Sequence, residues 1–162
     1  MKIGIISDTH DNLDRLEQAM RIFRERGVEE LAHCGDFVAP FVVLKMKAAG
    51  FSKIHGVLGN NDGEVLLLTA VFKDAGALHK QPAFINIAGI SIAIMHEPMP
   101  SYVMEALPVD VVCYGHTHDA EIRNGGKPVI INPGECGGWL RGRATVAILD
   151  TETIQAELVE LP

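Results

Sequence analysis

The chain has 162 residues, 48% hydrophobic and 22% charged, values that suit one globular domain with a real core and exclude disorder as the main state. Against 14 Lys and Arg stand 21 Asp and Glu, so the formal net charge is −7 and the long-range field repels polyanions rather than gathering them. A phosphate-bearing ligand therefore needs a local source of positive charge, of which a bound metal ion is the simplest.

From the N-terminus, Ile3 to Ile6 reads as a strand buried on both faces, ending at Ser7-Asp8-Thr9-His10. Leu13, Leu16, Met20 and Phe23 then recur at helical spacing, with Asp11 or Asn12 as the cap and Gly27 as the stop. Glu30 to Cys34 is a second strand ending at Gly35-Asp36, and Pro40 to Ala49 a second helix followed by Gly50. Lys53 to Leu58 is a third strand, ending at Gly59-Asn60-Asn61-Asp62-Gly63, after which Glu64 to Ala75 returns to helix, stopped by Gly76. This alternation predicts parallel strands with right-handed crossovers.

Strands dominate the second half. Ala83 to Ile87 and Ile90 to Met95 flank Ala88-Gly89 as a hairpin, and Asp110 to Tyr114 runs into Gly115-His116-Thr117-His118. Ala120 to Arg123 and Pro128 to Asn132 form a further hairpin, as do Ala144 to Leu149 and Ile154 to Leu161. Helices early and paired strands late predict an α/β fold of two sheets packed as a sandwich and flanked by helices, one domain over residues 1 to 162. The longest run free of charges and turn residues, Val65 to Phe72, is far short of the ~20 residues of a membrane helix, and Ile3 to Ile6 is too short for a signal peptide. Cys34, Cys113 and Cys136 are odd in number and widely spaced, suiting neither a disulfide framework nor a thiolate zinc site. These features predict a cytoplasmic protein with no membrane partner.

Four of the seven histidines, His10, His96, His116 and His118, follow predicted strands, as do Asp8, Asp36 and Asn60. In open α/β sheets ligands bind beyond the carboxyl ends of strands, so these groups are expected to converge. Asp8-x-His10 and His116-x-His118 each put two metal-capable side chains two residues apart, on the same side where the backbone is extended. Taken singly, each pair also reads as a solvated strand end, Gly35-Asp36 as a turn, His96 as a hydrogen-bonded histidine and the Asn60 loop as a strand-to-helix connection. Seven nitrogen and oxygen ligands at five strand exits suffice for two metal ions, and imidazole with carboxylate but no thiolate suits Mn, Fe, Ni or Zn in a hydrolytic site.

In this order, Asp8-x-His10, Gly35-Asp36, Gly59-Asn60-x-Asp62, His96 and Gly115-His116-Thr117-His118 resemble the calcineurin-like metallophosphoesterases. Length and Asn132-Pro133-Gly134 resemble the small prokaryotic phosphodiesterases of that superfamily. The resemblance implies a four-layer sandwich and a binuclear centre, manganese first and nickel, iron or zinc as alternatives. Asp8, His10, Asp36 and His118 would hold one ion, Asp36, Asn60, His96 and His116 the other, with Asp36 as bridge. Two such ions generate a hydroxide nucleophile and clamp phosphoryl oxygens. Asp62 would orient a ligand or the loop. Many relatives carry histidine where this chain has Asn61, and an amide donates a hydrogen bond but not a proton, so activated phosphodiesters are the expected substrates.

Glu135-Cys136-Gly137-Gly138 stands where relatives often have serine, which puts phosphate contacts from that segment in question. His33, His55 and His79 read as structural, Arg141 and Arg143 as a solvated face, and Cys136 as a thiol near the pocket. The expected partner is a small phosphodiester, with nucleic acid disfavoured by the acidic balance, and relatives suggest a homodimer or larger homo-oligomer. The competing class is a metal-binding scaffold like the smallest retromer subunit, which shares the fold; a filled ligand set favours catalysis.

Overall fold

A computed structural model describes residues 1–162. In chain order the elements are β1 (Lys2–Ile6), α1 (Leu13–Glu25), β2 (Val28–His33), α2 (Phe41–Ala48), β3 (Ile54–Val57), α3 (Val65–Phe72) and β4 (Gly76–His79). There follow β5 (Ala83–Ile87), β6 (Ile90–Ile94), α4 (Ser101–Glu105), β7 (Val111–Cys113), β8 (Glu121–Arg123), β9 (Val129–Asn132), β10 (Thr145–Asp150) and β11 (Gln155–Glu160).

Six strands form one sheet in the order β11-β10-β1-β2-β3-β4 and five the other in the order β5-β6-β7-β9-β8. The strand β1 has core on both faces because its alternate residues serve two clusters. Ile3 and Ile5 pack between the sheets with Ala32, Val57, Ile92 and Val111, whereas Ile6 faces the helices. Gly4 lies under Phe23 and Leu31, where a Cβ would come within 2.8 Å of either side chain. Helix α1 starts where the Asn12 side chain accepts the Arg15 N–H, and it buries Leu16, Ala19, Met20 and Phe23 along one stripe. Sinking Phe23 alone stabilises the fold by about 1.5–3 kcal/mol. On the outer face of the second sheet Met104 of α4 packs with Met95, Val109, Val112, Tyr114 and Ile130, which completes four layers.

The strands that matter for the site run the same way: β1, β2 and β3 are parallel neighbours, as are β6, β7 and β9. Both sheets thus end their parallel strands at one edge. Two differences from the sequence expectation stand out. Helix α3 ends at Phe72 rather than Ala75, and Gly76 opens an edge strand instead of closing a helix. Gly76 pairs with Ile54 at φ +149, so close that a Cβ would lie 2.0 Å from the Ile54 carbonyl oxygen, and the glycine therefore marks a close backbone approach. The five-residue helix α4 went unpredicted because it begins directly after Pro100 and is too short to show a helical period.

Candidate metal centre

The loops after β1, β2, β3, β6, β7 and β9 meet at the shared edge, most of them bonded to one another through their backbones and the β3 loop through the Asp36 and Asp62 carboxylates. Asp8 N–H donates to the Gly35 carbonyl (3.1 Å), His10 N–H to Asp36 (3.2 Å), Gly115 N–H to His96 (3.0 Å) and Gly137 N–H to Asp8 (3.0 Å). Asp8, His10, Asp36, His116 and His118 all occupy left-handed backbone, with φ of +52°, +43°, +57°, +68° and +60°. The pairs Asp8-x-His10 and His116-x-His118 are therefore not extended, and the expected strand alternation is not what aligns them. Tight left-handed turns do so, at a cost of order 1–2 kcal/mol per residue that Asp and His tolerate better than most.

The position of Asp36 is set by Asp62. This buried carboxylate accepts N–H donors from Asp36 (3.0 Å), Val38 (2.7 Å) and Gly59 (2.7 Å), and so clasps the β2 turn to the β3 turn. Burial, then the nearby Asp36 charge, raises the Asp62 carboxyl above its ordinary range against those three donors. Close approach demands glycine here. A Cβ on Gly59 would lie 2.1 Å from Asp36 Oδ1, and one on Gly115 would lie 1.9 Å from Ser7 Oγ.

One cluster is Asp8, His10 and His118, and another is Asp8, Asp36 and His96; within each, ligand atoms lie inside 4.8 Å of one another. Asp8 Oδ2 is saturated by the Ser7 hydroxyl (2.5 Å) and the His116 N–H (3.1 Å). Its Oδ1 is buried without a hydrogen-bond partner, as is His10 Nε2. Asp8 Oδ1 faces His118 Nε2 at 3.3 Å and His10 Nε2 at 3.7 Å. Asp36 Oδ2 lies 3.5 Å from both His10 Nε2 and His96 Nε2, between the two groups. Asn60 Oδ1 sits 2.8 Å from His96 Nε2 and 2.9 Å from His116 Nδ1.

The His96 tautomer reveals what this arrangement suits. Its Nδ1 lies 2.8 Å from the Cys34 carbonyl and must carry the proton. In the neutral ring Nε2 then presents a lone pair to the lone pairs of Asn60 and Asp36. Such a set of acceptors, with Asp36 and His96 buried and Asn60 at the open side, suits a bound cation. On the other side Asp8, followed by Asp36 and Glu135, pushes the His10 imidazole above its ordinary pKa despite partial burial, because the carboxylates crowded around it favour positive charge there. Burial pushes the Asp8 carboxyl up, but the His10 ring, the Ser7 hydroxyl and the His96 and His118 rings together hold it below the carboxylate range.

All seven ligand positions read from the sequence thus come together, and Asp62 and Asn61 lie beside them. Asn61 donates its backbone N–H to Asp36 Oδ1 (2.8 Å) and its side-chain amide to Asp36 Oδ2 (2.7 Å). Glu135 had no role assigned from sequence. It is 1% exposed, sits 3.4 Å from His118 Nδ1, and accepts backbone N–H donors from Trp139, Leu140 and Arg141. The signal for it was positional: Glu135 follows β9, a sixth strand exit at the same edge. His33 is a satisfied core residue stacked on Phe37, accepting from Gly35 N–H and bonded to Thr9 Oγ1, and burial lowers its pKa to about 3. Cys136 is wholly buried and its thiol is pushed up, so it is no reactive thiol. Arg141 and Arg143 pair with Asp119 and Glu160.

Comparison with known proteins agrees. A model of the calcineurin-like phosphoesterase superfamily domain matches residues 1–154. A phosphodiesterase of Methanocaldococcus jannaschii is 40% identical over 157 residues, 94% of each chain. The solved structure of an archaeal phosphodiesterase superposes with a TM-score of 0.90 at 37% identity, covering 99% of this chain and 100% of that one. Vps29 of Entamoeba histolytica, complexed with zinc, shares the fold at 18% identity and a TM-score of 0.67 over 99% of both chains. The sandwich, the loop edge and these matches together establish that the chain belongs to the calcineurin-like phosphoesterase superfamily.

Proposed function

We propose that this protein hydrolyses small phosphodiesters with two divalent metal ions, manganese first and nickel, iron or zinc as alternatives. The observation that carries the reading is the convergence of Asp8 Oδ1 and His10 Nε2, both buried without a hydrogen-bond partner, with Asp36 Oδ2, His96 Nε2 and Asn60 Oδ1 at one loop edge. Asp8, His10, Asp36 and His118 would hold one ion and Asp36, Asn60, His96 and His116 the other. When bound, the ions lower the pKa of a water and neutralise phosphoryl oxygens, giving a −7 protein the positive charge that its surface lacks.

The chain's own residues set orientation. Asp36 Oδ2, equidistant from His10 and His96, is placed to be shared between the two ligand sets. Asp62 holds the turn that carries it. The exposed Asn61 amide offers an uncharged donor beside Asp36 and no titratable proton near neutral pH. Departing groups must then leave without proton transfer from this position, which favours activated diesters over alkyl monoesters; the M. jannaschii relative's designation as a phosphodiesterase supports the same substrate class.

The test is a panel of phosphoesters offered to chelator-stripped protein reloaded with Mn, Ni, Fe or Zn. Bis-p-nitrophenyl phosphate should be hydrolysed faster than alkyl phosphomonoesters, and the reverse order would overturn the diester reading. Stoichiometric metal without turnover on any phosphoester would instead point to a scaffold. Metal at 100-fold over Kd should raise Tm by about 5–10 °C, and Asp36→Ala should abolish both that rise and turnover.

A further inference from the structure

The chain has a single tryptophan, and it is on the surface. Trp139 is 64% exposed although it is the largest apolar side chain present, and Leu140 beside it is 73% exposed. The residue is nevertheless tied down. Its indole N–H donates to the His10 carbonyl (3.3 Å), and its backbone N–H donates to Glu135 Oε1 (2.6 Å). The ring flanks Gly137, where a Cβ would lie 2.9 Å from Trp139 Cδ1. Arg141, two residues on, donates to the Thr117 carbonyl (3.4 Å) and to Asp119 (2.7 Å). Residues 139–141 thus bridge the loop carrying His10 and the loop carrying His118, along the rim of the metal-ligand cluster.

Because the N–H lies in the plane of the ring, donation to His10 anchors the indole by its edge and leaves ring face open to solvent. An anchored, exposed aromatic face is a low-entropy surface for stacking. The guanidinium groups of Arg141 and Arg143 are each paired with a carboxylate, Asp119 and Glu160. Stacking also needs no net positive charge, which suits a protein of −7.

We propose that Trp139 is a specificity-determining platform that stacks on a planar aromatic ring, aryl or nucleobase, borne on one ester arm of the phosphodiester substrate. The proposal rests on the phosphodiesterase reading for the rest of that substrate, while ring binding is measurable without turnover.

As the sole tryptophan, Trp139 reports on itself. Its fluorescence is followed while manganese-loaded protein is titrated with phenyl phosphate, adenosine 5′-monophosphate or ribose 5-phosphate. Saturable quenching by the ring-bearing probes, at concentrations about tenfold below those at which ribose 5-phosphate binds by calorimetry, is the expected result. Phenyl phosphate against the nucleotide then tells which ring is preferred. In Trp139→Leu, calorimetry should show that selectivity collapse about tenfold, and Trp139→Phe, which keeps a ring but loses the anchoring N–H, should restore part of it. Equal affinity for all three probes in the unaltered protein, or equal weakening of all three in Trp139→Leu, would overturn the platform. Hydrolysis of diesters without ring-selective binding removes the platform alone; ring-selective binding in a protein that hydrolyses no diester removes the catalytic reading and leaves the platform standing.

Discussion

His118 and Glu135 form a partly buried imidazole–carboxylate pair in which the two ring nitrogens face different carboxylates, Nδ1 meeting Glu135 Oε1 at 3.4 Å and Nε2 meeting Asp8 Oδ1 at 3.3 Å. A carboxylate facing the far nitrogen orients the ring so that the near nitrogen points at a ligand. Glu135 is itself held by the N–H groups of Trp139, Leu140 and Arg141. Glu135→Gln should therefore weaken metal binding about 10–100-fold with circular dichroism unchanged, as read by competition with a chromophoric chelator. Unaltered affinity would show that the pair only anchors the loop.

Asn61 is exposed and bonded through its side chain to Asp36 Oδ2. Asn61→His places a titratable group there. Turnover of alkyl phosphomonoesters should rise by about 100-fold, with a new pH limb near the imidazole pKa, while activated diesters gain little. A variant with the substrate order of the original protein would show that protonation of the departing oxygen is not what limits it.

Acid should destabilise the fold through His33. Burial holds its folded pKa at about 3 against 6.5 for the free side chain, so between those values the unfolded chain binds a proton that the folded chain refuses. Stability contributed by the neutral ring is complete above pH 6.5 and declines as pH falls, by about 1.4 kcal/mol per unit at most. Urea titrations in chelator from pH 7 to 4 should show a steeper loss for the unaltered protein than for His33→Gln; parallel curves would exclude His33 as the cause.

Gly115→Ala tests the closeness of the β7 turn to β1. The new methyl meets Ser7 Oγ at 1.9 Å and Asp8 Oδ2 at 2.7 Å, so the Ser7–Asp8 bond must give way. Metal-free stability should fall by about 1–3 kcal/mol in denaturant titration, and metal affinity should fall with it because Asp8 loses its support. Retention of both would mean that the turn moves at no cost.

Much of this protein follows from local rules that a sequence displays directly. Leu16, Met20 and Phe23 share a helical stripe, Ala88-Gly89 closes a hairpin, and the polar residues that end β1, β2, β3, β6 and β7 announce a ligand edge, because side-chain periodicity and turn chemistry act over a few residues. What only the tertiary structure decided depends on contacts between distant segments. Gly76 looks like a helix stop until Ile54 comes within reach, and Asp8-x-His10 looks extended until Gly35 and Asp36 accept its N–H groups and hold it in left-handed turns. Glu135 is one acidic residue in a glycine-rich stretch until β9 carries it beneath His118. Pairings between segments far apart in the chain are set by how two sheets close on each other, and no local pattern encodes that closure.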